Sequence, residues 1–504
     1  MDMELQRTQL GGWRPIYDTV IRQEETLESI VPDAMPDMVR IIRTGATALL
    51  RQKEAAESTA RVTGTIRTTI LYTPEGGGEP CALEVNIPFL ISLDHASIHG
   101  ECPILARLQV IGADAQMLNP RKVLVRAEIT AGIVAYGEER REVTTGVRCG
   151  DDSLQMLREE RKDYSAADIM GKAFTFSDVL RIPPSRPTPE KLLCSRVRCG
   201  AAEAKVIGKK LVAKGQMELT SLYWAGGVLS AVRHELPFSQ VIDTRFDGEE
   251  CTAAADVLLT GMNCRLREDG DLEVTLDLML QAVVEYERVL MLMTDVYSTA
   301  GPLLAQREEI PLTLLRDHGE LRQLARQMCP SAIGVKQVLD STLTVGEVTQ
   351  LPAGEGKVTA TANAYADILF VSEEDELFAA AYTIPVDCEL SVPTGCKCEC
   401  ICGMGGEMTA VPVSDGVEVR FEAVFSYRVM RPYSVSAVSS AQPGSEPESG
   451  VPRPSVVVRK ITEGERLWDV AKECGSTVSA IRAANAMGGE EAVCGAVLLI
   501  PRSR

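Results

Sequence analysis

The first 430 residues of the chain repeat one arrangement of hydrophobic segments three times. In each copy, a hydrophobic triplet precedes a hydrophobic-proline pair, and a long alternating segment follows. The prolines of these pairs, Pro88, Pro237 and Pro385, recur at intervals of about 150 residues. Such regular spacing over three copies indicates a triplicated module, so the chain is expected to use one structural unit three times.

Alternating hydrophobic and polar residues indicate that each copy is rich in β-strands. Hydrophobic side chains occupy every second position in the segments that begin at Val123, Leu272 and Val417. This period places one face of a strand on a core and the other face in water. Turn signals such as Asn119-Pro120 and Asp269-Gly270 separate the segments. We therefore predict three β-rich repeat modules made of antiparallel sheets.

The order of these patterns predicts the division of the chain into domains. Leucines at helical spacing predict helices over 152–162 and 319–328, and residues rich in Ser, Pro and Gly predict a flexible linker. We expect an N-terminal segment at 1–30, repeats at 31–150, 181–296 and 312–433, a helical connector at 151–180, a connector at 297–311, a Ser/Pro/Gly linker at 434–455 and a separate domain at 456–504.

Composition limits the functions that such a chain can have. The net charge of −19 argues against a nucleic-acid-binding face, and no apolar run is long enough for a membrane span. The first residues lack the basic and apolar regions of a signal peptide, so we expect a cytosolic protein. Fifteen cysteines at irregular spacing do not resemble a secreted disulfide framework. The chain contains four histidines and no recognised catalytic motif, so we predict no enzyme, no catalytic residue, no metal centre and no cofactor.

Residues 456–504 are predicted to form a small βααβ domain. A β-branched strand precedes a helix through Trp468 and Val470, and Gly475 is suited to end that helix. Ser476 or Thr477 can cap a second helix, and a hydrophobic segment ending at Pro501 closes the sheet. The predicted fold class is therefore mainly β with minor α content, in which three β-rich modules precede a βααβ domain.

This C-terminal segment resembles the LysM domain family. The matching residues are Ile461, Gly464, Leu467, Trp468, Val470, Ala471, Ile481, Asn485, Leu498, Ile500 and Pro501. Members of that family bind N-acetylglucosamine in peptidoglycan or chitin through two loops. The resemblance implies that the corresponding contact residues here are Glu463, Gly464, Glu465, Arg466, Leu467, Asn485, Ala486, Met487 and Gly488. Arg466 stands where the family has threonine, a departure from the sugar-binding pattern that would suit a protein surface.

The repeats resemble the SPOCS domain of spore-forming Firmicutes. The resemblance rests on the string from Val31 to Met38, on the Leu-Tyr and Ile-Pro-Phe segments, and on Asn119-Pro120-Arg121-Lys122-Val123. Tandem SPOCS domains before a LysM domain occur in clostridial spore-coat morphogenetic proteins, where the LysM domain contacts the coat-basement ATPase, stage IV sporulation protein A. The resemblance therefore implies a mother-cell protein at the forespore surface. Its expected partners are that ATPase or another coat protein, or peptidoglycan glycan, with no nucleic acid.

A row of four cysteines in the third repeat has three interpretations. Cys396, Cys398, Cys400 and Cys402 would lie on one face if this segment is a strand. They could bind a metal, cross-link chains in a coat, or fill a core face. Zinc sites use longer gaps between ligands, so core packing is the favoured interpretation, and cross-linking is the main alternative.

Three classes of function remain open from the sequence. The first is a non-enzymatic scaffold of spore-coat morphogenesis, whose LysM domain docks on a coat-basement protein. The second is a wall-associated protein that binds peptidoglycan. The third, an enzyme with an unrecognised site in the repeats, has the weakest support.

Overall fold

The structure is a computed structural model that describes residues 3–149, 153–200, 202–248, 250–444, 454–487 and 495–502. Within these ranges the chain is mainly β, and its paired strands run antiparallel. The predicted mainly β fold class is confirmed. The two described helices both lie after residue 460.

The strands follow one another in three similar series, which we call the first, second and third units. The first unit contains β1 Met3–Ile30, β2 Met38–Ala56, β3 Thr59–Pro74, β4 Cys81–Asp94, β5 Ile104–Asn119 and β6 Lys122–Cys149. The second contains β7 Leu154–Leu180, β8 Lys191–Cys199, β9 Glu203–Ile207, β10 Lys210–Ala225, β11 Val228–Asp243, β12 Thr252–Leu266 and β13 Leu272–Ser298. The third contains β14 Leu303–Pro330, β15 Val335–Gly354, β16 Lys357–Ser372, β17 Leu377–Ser391, β18 Lys397–Met404, β19 Thr409–Val413 and β20 Gly416–Pro443.

Each unit begins and ends with a strand of 27 or 28 residues, and these two strands pair along their length. The resulting long pairs are β1 with β6, β7 with β13, and β14 with β20. Between them, each unit contains a second sheet, in which the central strand is β3, β10 or β16. The connections between units therefore lie at the same end of the three long pairs.

The three long pairs carry β-bulges at corresponding positions. Near the middle of each pair, one extra residue interrupts the register, namely Ile16, Ala167 or Arg316. A second extra residue near the end of each pair has a hydroxyl side chain, namely Thr145, Thr294 or Ser439. Because a bulge bends a strand and increases its twist, the three pairs change direction at matching points.

Two of the predicted helices are wrong. Residues 154–162 of the first predicted helix belong to β7, and residues 319–328 lie inside β14. The helical connector at 151–180 is therefore a strand in its described part. The error has a physical cause, since a strand with a few leucines among charged residues also satisfies a helical spacing locally. The residues of β13 that pair with β7 lie 92 to 144 residues further along the chain, so a local sequence pattern cannot reveal them.

Long strands also cross several predicted boundaries. Residues 3–30 of the predicted N-terminal segment form β1, which pairs with β6 of the first unit. The predicted connector at 297–311 contains the end of β13 and the start of β14. The predicted linker at 434–455 begins inside β20, which continues to Pro443. Residues 445–453 of that linker lie outside the described residues.

The second sheets of the three units meet in one shared core. Leu71, Leu222 and Leu369 come from the three central strands, and all three side chains are buried in the same cluster. Opposite these leucines on the neighbouring strands stand Arg43, Cys194 and Asp340, respectively. The three units therefore form one body around this core.

Buried ion pairs connect the units at two places, namely in the shared core and between the long strand pairs. In the shared core, Asp340 accepts hydrogen bonds from Arg43 at 2.5 Å and from Arg196 at 2.7 Å, so one carboxylate joins all three units. Between the long pairs, the buried carboxylate of Asp163 binds Arg14 of the first unit and Arg288 of the second, each at 2.7 Å. A buried charge needs such partners, since without them its desolvation is strongly unfavourable.

The described residues between 456 and 501 form a small C-terminal unit. It contains β21 Val456–Lys460, α1 Leu467–Cys474, α2 Val478–Ala484 and β22 Val497–Pro501. Gly475 ends α1 in the left-handed region, at φ 62°, where glycine pays no Cβ penalty. Thr477 caps α2, because its side chain accepts a hydrogen bond from the backbone N–H of Ala480.

Candidate binding site at the C-terminal unit

The first predicted contact loop joins β21 to α1. Gly464 adopts a positive φ of 81° and is exposed together with Glu463. Glu465 instead holds the loop together, since its carboxylate accepts hydrogen bonds from the backbone N–H and the hydroxyl of Thr462, both at 3.1 Å. These bonds, led by the one from the backbone N–H, hold the pKa of Glu465 below its ordinary value. Leu467 is buried in the core of the unit.

The second predicted contact loop follows α2. Asn485 donates to the carbonyls of Ile481 and Leu499 and accepts from the N–H of Leu499, at 2.7 to 2.9 Å. Its amide therefore connects α2 to β22 and has little capacity left for a ligand. Ala486 is exposed at φ 53°, and Met487 packs partly buried on the same cluster that contains Leu467. Gly488 lies outside the described residues.

The predicted contact residues thus divide into two groups. Glu463, Gly464 and Ala486 are exposed and available to a partner, whereas Arg466 is exposed but pairs with Asp469 at 3.0 Å. Glu465, Leu467, Asn485 and Met487 maintain the unit itself. The cluster shared by Leu467 and Met487 places both loops on one core, so a partner could contact them together.

The C-terminal unit is docked on the end of the second long pair. The indole Nε1 of Trp468 donates to the carboxylate of Asp295 at 2.8 Å, and the ammonium of Lys472 contacts both oxygens of that carboxylate, at 2.7 and 2.8 Å. The ring of Tyr297 meets the indole edge-on, with centroids 4.9 Å apart. Its hydroxyl donates to the backbone carbonyl of Ser476 at 2.8 Å. Docking therefore uses α1 and leaves Glu463 and Ala486 exposed.

Asp295 is the electrostatic centre of this contact. Its side chain is mostly buried, and Arg307 donates to it at 2.6 Å in addition to Lys472 and Trp468. Burial acts to raise the pKa of Asp295, but the hydrogen bonds from Lys472 and Trp468 outweigh it, so the pKa lies below its ordinary value. The carboxylate is therefore charged at neutral pH.

Sequence reasoning did not identify Asp295 and Tyr297 as functional residues. The one available signal was a single carboxylate at the end of the apolar segment from Val289 to Met293. An isolated charge in such a segment indicates a buried partner, but the partner lies in the C-terminal unit and follows no local pattern.

The structure places three of the four cysteines of the predicted row on a core face. Cys398, Cys400 and Cys402 alternate along β18 and pack partly buried against the core of the third unit, whereas Cys396 precedes the strand. Burial raises the pKa of Cys398 to about 11 and of Cys400 and Cys402 to about 12. These three thiols are therefore protonated at neutral pH, which favours the core-packing interpretation over reactive or metal-binding thiolates.

Comparison with known proteins provides no further identification. No protein-family model, no curated protein and no solved structure matches this chain. Among the described residues, no helix has the length and apolar character needed to cross a membrane, and no group of three or more His, Cys, Asp or Glu side chains is arranged to hold a metal ion.

Proposed function

We propose that this protein is a non-enzymatic scaffold of the spore envelope, and that its C-terminal unit docks on a coat-basement protein. The resemblances of the repeats to SPOCS domains and of residues 456–504 to LysM domains support this proposal. On this proposal the protein acts in the mother-cell cytoplasm at the forespore surface. Its expected partner is the coat-basement ATPase that resembles stage IV sporulation protein A, or another coat protein.

The observation that carries the proposal is the orientation of the docked C-terminal unit. Its helix α1 is fixed to the body through Trp468 and Lys472, while Glu463, Gly464 and Ala486 remain exposed. A rigid body formed by three units would then present one small binding surface at a defined place, as a scaffold requires. Because binding surfaces that are held in place lose less entropy on association, this arrangement favours a stable partner contact.

Loop variants of the full chain test this proposal. In sporulating cells, the double variant Glu463→Lys with Ala486→Glu changes both exposed loops, and Val458→Thr changes an exposed residue on the sheet face of the same unit. We expect affinity capture and mass spectrometry to recover the coat-basement protein with the unaltered chain and with Val458→Thr, but not with the double variant. Recovery of the same coat proteins by all three chains would contradict docking through the loops.

Peptidoglycan is the alternative occupant of the same loops, because both are exposed on a unit that resembles a glycan-binding family. A calorimetric titration of the purified chain with muropeptides distinguishes the two. Saturable glycan binding that is lost in the loop double variant would favour a wall-binding function over the scaffold.

A further inference from the structure

A lysine of the first unit reaches a glutamine of the second unit across the interface between them. The ammonium of Lys53, on β2, donates to the side-chain carbonyl oxygen of Gln281, on β13, and to the backbone carbonyl of Ile104, each at 2.6 Å. Lys53 is partly buried, and Gln281 is only 5% exposed. The amine and the amide therefore meet at a place from which most water is excluded.

The amide of Gln281 is held in one orientation by the backbone of β5. Its nitrogen Nε2 donates to the carbonyl of Ala106, and its oxygen Oε1 accepts from the N–H of Ala106 at 3.2 Å. These two bonds determine that Oε1, and not Nε2, faces Lys53. Because the N–H of Ala106 points at Oε1, it can stabilise negative charge that develops on this oxygen.

Gln281 is not part of the framework that the three units share. It lies three residues before Val284, which pairs with the residue after the central bulge of its strand pair. The corresponding positions in the other two long pairs hold Gly132 and Ser426, and neither has an amide side chain. The repeated architecture therefore does not require a glutamine here.

The positive charge of Lys53 lacks a direct counter-ion. Both of its acceptors are neutral, and no ion pair to this ammonium is found among the described residues. A buried ammonium without such a partner is unfavourable relative to the neutral amine. Burial accordingly lowers the pKa of Lys53 to about 8, although the negative charge of Asp256 acts in the opposite direction. An appreciable fraction of Lys53 is therefore present as the nucleophilic neutral amine near neutral pH.

A carboxylate lies beside the amine and the amide. Asp256, on β12, stands directly opposite Gln281 in the antiparallel pairing of β12 with β13. Residues directly opposite each other in such a pair project to the same face of the sheet, so the two side chains are neighbours. Asp256 also acts electrostatically on Lys53. The site thus combines a nucleophile, a carbonyl with a donor on its oxygen, and a base that can transfer a proton.

We propose that Lys53 and Gln281 form an isopeptide bond that joins the first unit to the second. The neutral Nζ of Lys53 attacks Cδ of Gln281, so that a new N–C bond forms and negative charge collects on Oε1. The bond from Cδ to Nε2 then breaks, and Nε2 leaves as ammonia with a proton that Nζ loses. Asp256 carries this proton from Nζ to Nε2, and no oxidant, reductant or further reactant is consumed.

This inference goes beyond the proposed function. The bond lies inside the body, and neither exposed loop of the C-terminal unit takes part in it, so either proposal can fail without the other.

The mass of the purified full chain tests the inference. After incubation at pH 8 and unfolding in denaturant, we expect a mass lower by one ammonia than the sequence requires. Trypsin should release a branched peptide in which residues 52–61 are joined to residues 268–288, because it no longer cleaves after Lys53. Lys53→Arg keeps the charge but removes the primary amine, so this variant should keep its full mass. Lys357→Arg changes an exposed lysine on β16 and should lose ammonia like the unaltered chain.

Two results would overturn the inference. A chain that keeps its full mass and yields separate peptides for Lys53 and Gln281 would show that the contact is only a hydrogen bond. Loss of ammonia by the Lys53→Arg variant would assign that loss to another amide. Asp256→Asn should slow the loss about a hundredfold, the contribution of a positioned acid–base group, and an unchanged rate would overturn the role given to this carboxylate.

Discussion

The indole of Trp468 donates a 2.8 Å hydrogen bond to Asp295, and this bond joins the C-terminal unit to the second of three similar long strand pairs. Asp295 directly follows the bulge at Thr294. The corresponding positions in the first and third pairs hold Gly146 and Ser440, neither of which carries a charge. The second pair is thus the one of the three that presents a carboxylate at this position, which explains why the C-terminal unit docks there.

Asp295→Asn is expected to release the C-terminal unit from the body. The substitution keeps the shape of the side chain but removes the charge that holds Lys472 and Arg307. Loss of one partner from a buried charged network costs about 3 kcal/mol. Hydrogen exchange should then become faster in α1, measured by mass spectrometry on the full chain. The control is Asp469→Asn, which removes a carboxylate of α1 that pairs with Arg466, the residue before that helix. Equal exchange in α1 of both variants would contradict a contact centred on Asp295.

Acid should weaken the same contact. The pKa of Asp295 is lowered in the folded protein, so its stabilising contribution is complete above its ordinary pKa of about 4 and is lost as the pH falls through the lower folded value. Hydrogen exchange in α1 should therefore be unchanged between pH 7 and pH 5 after correction for intrinsic rates, and should accelerate below about pH 4. In the Asp295→Asn variant this acid-dependent acceleration should be absent. Its persistence in that variant would assign the acid sensitivity to another group.

Asp340→Ala is expected to destabilise the body more than the simultaneous replacement of Asp340 and the charged residues around it. The substitution leaves Arg43 and Arg196 without the carboxylate that they share in the shared core. An uncompensated buried charge costs about 3–5 kcal/mol, whereas replacement of a buried ion pair by apolar side chains is often neutral. Chemical denaturation of Asp340→Ala should show this loss. Arg43 also pairs with Asp367 at 2.8 Å, so the quadruple variant Asp340→Leu, Arg43→Met, Arg196→Met and Asp367→Asn removes every charge of the group and should recover part of it. A quadruple variant that is less stable than Asp340→Ala would show that the ion pairs themselves are needed.

The leucines of the shared core provide a direct test of the single-body arrangement. Leu369 is fully buried, whereas Leu324 on β14 is 86% exposed. Leu369→Ala should lower the free energy of unfolding by about 2–5 kcal/mol, because it creates a cavity where the three units meet. Leu324→Ala should change it by less than about 0.5 kcal/mol. Denaturant unfolding measures both, and equal effects would indicate that the units do not pack against one another at Leu369.

Comparison of the sequence with the structure shows which levels of organisation local patterns can predict. Period-two alternation identified strands such as the one that begins at Leu272, because each strand needs one core face whatever its partner is. The same patterns did not predict β7 or β14, whose identity as strands depends on pairing with β13 and β20 far along the chain. The contact between Trp468 and Asp295 could not be predicted either. The hydrophobic pattern around Trp468 is already accounted for by packing inside the C-terminal unit, so it gives no sign of a second contact.

The cysteines of β18 provide the last test, since the core-packing and cross-linking interpretations predict opposite reactivities. The thiolate is the reactive form of cysteine, and burial raises the pKa of Cys400 and Cys402 to about 12. We therefore expect iodoacetamide at pH 8 to alkylate these two residues slowly in the folded protein and completely in denaturant. Peptide mass spectrometry measures both rates, and Cys396, which precedes β18 and is not part of its core face, serves as the internal reference. Rapid alkylation of Cys400 or Cys402 in the folded chain, or a disulfide at either residue in oxidised samples, would favour cross-linking instead.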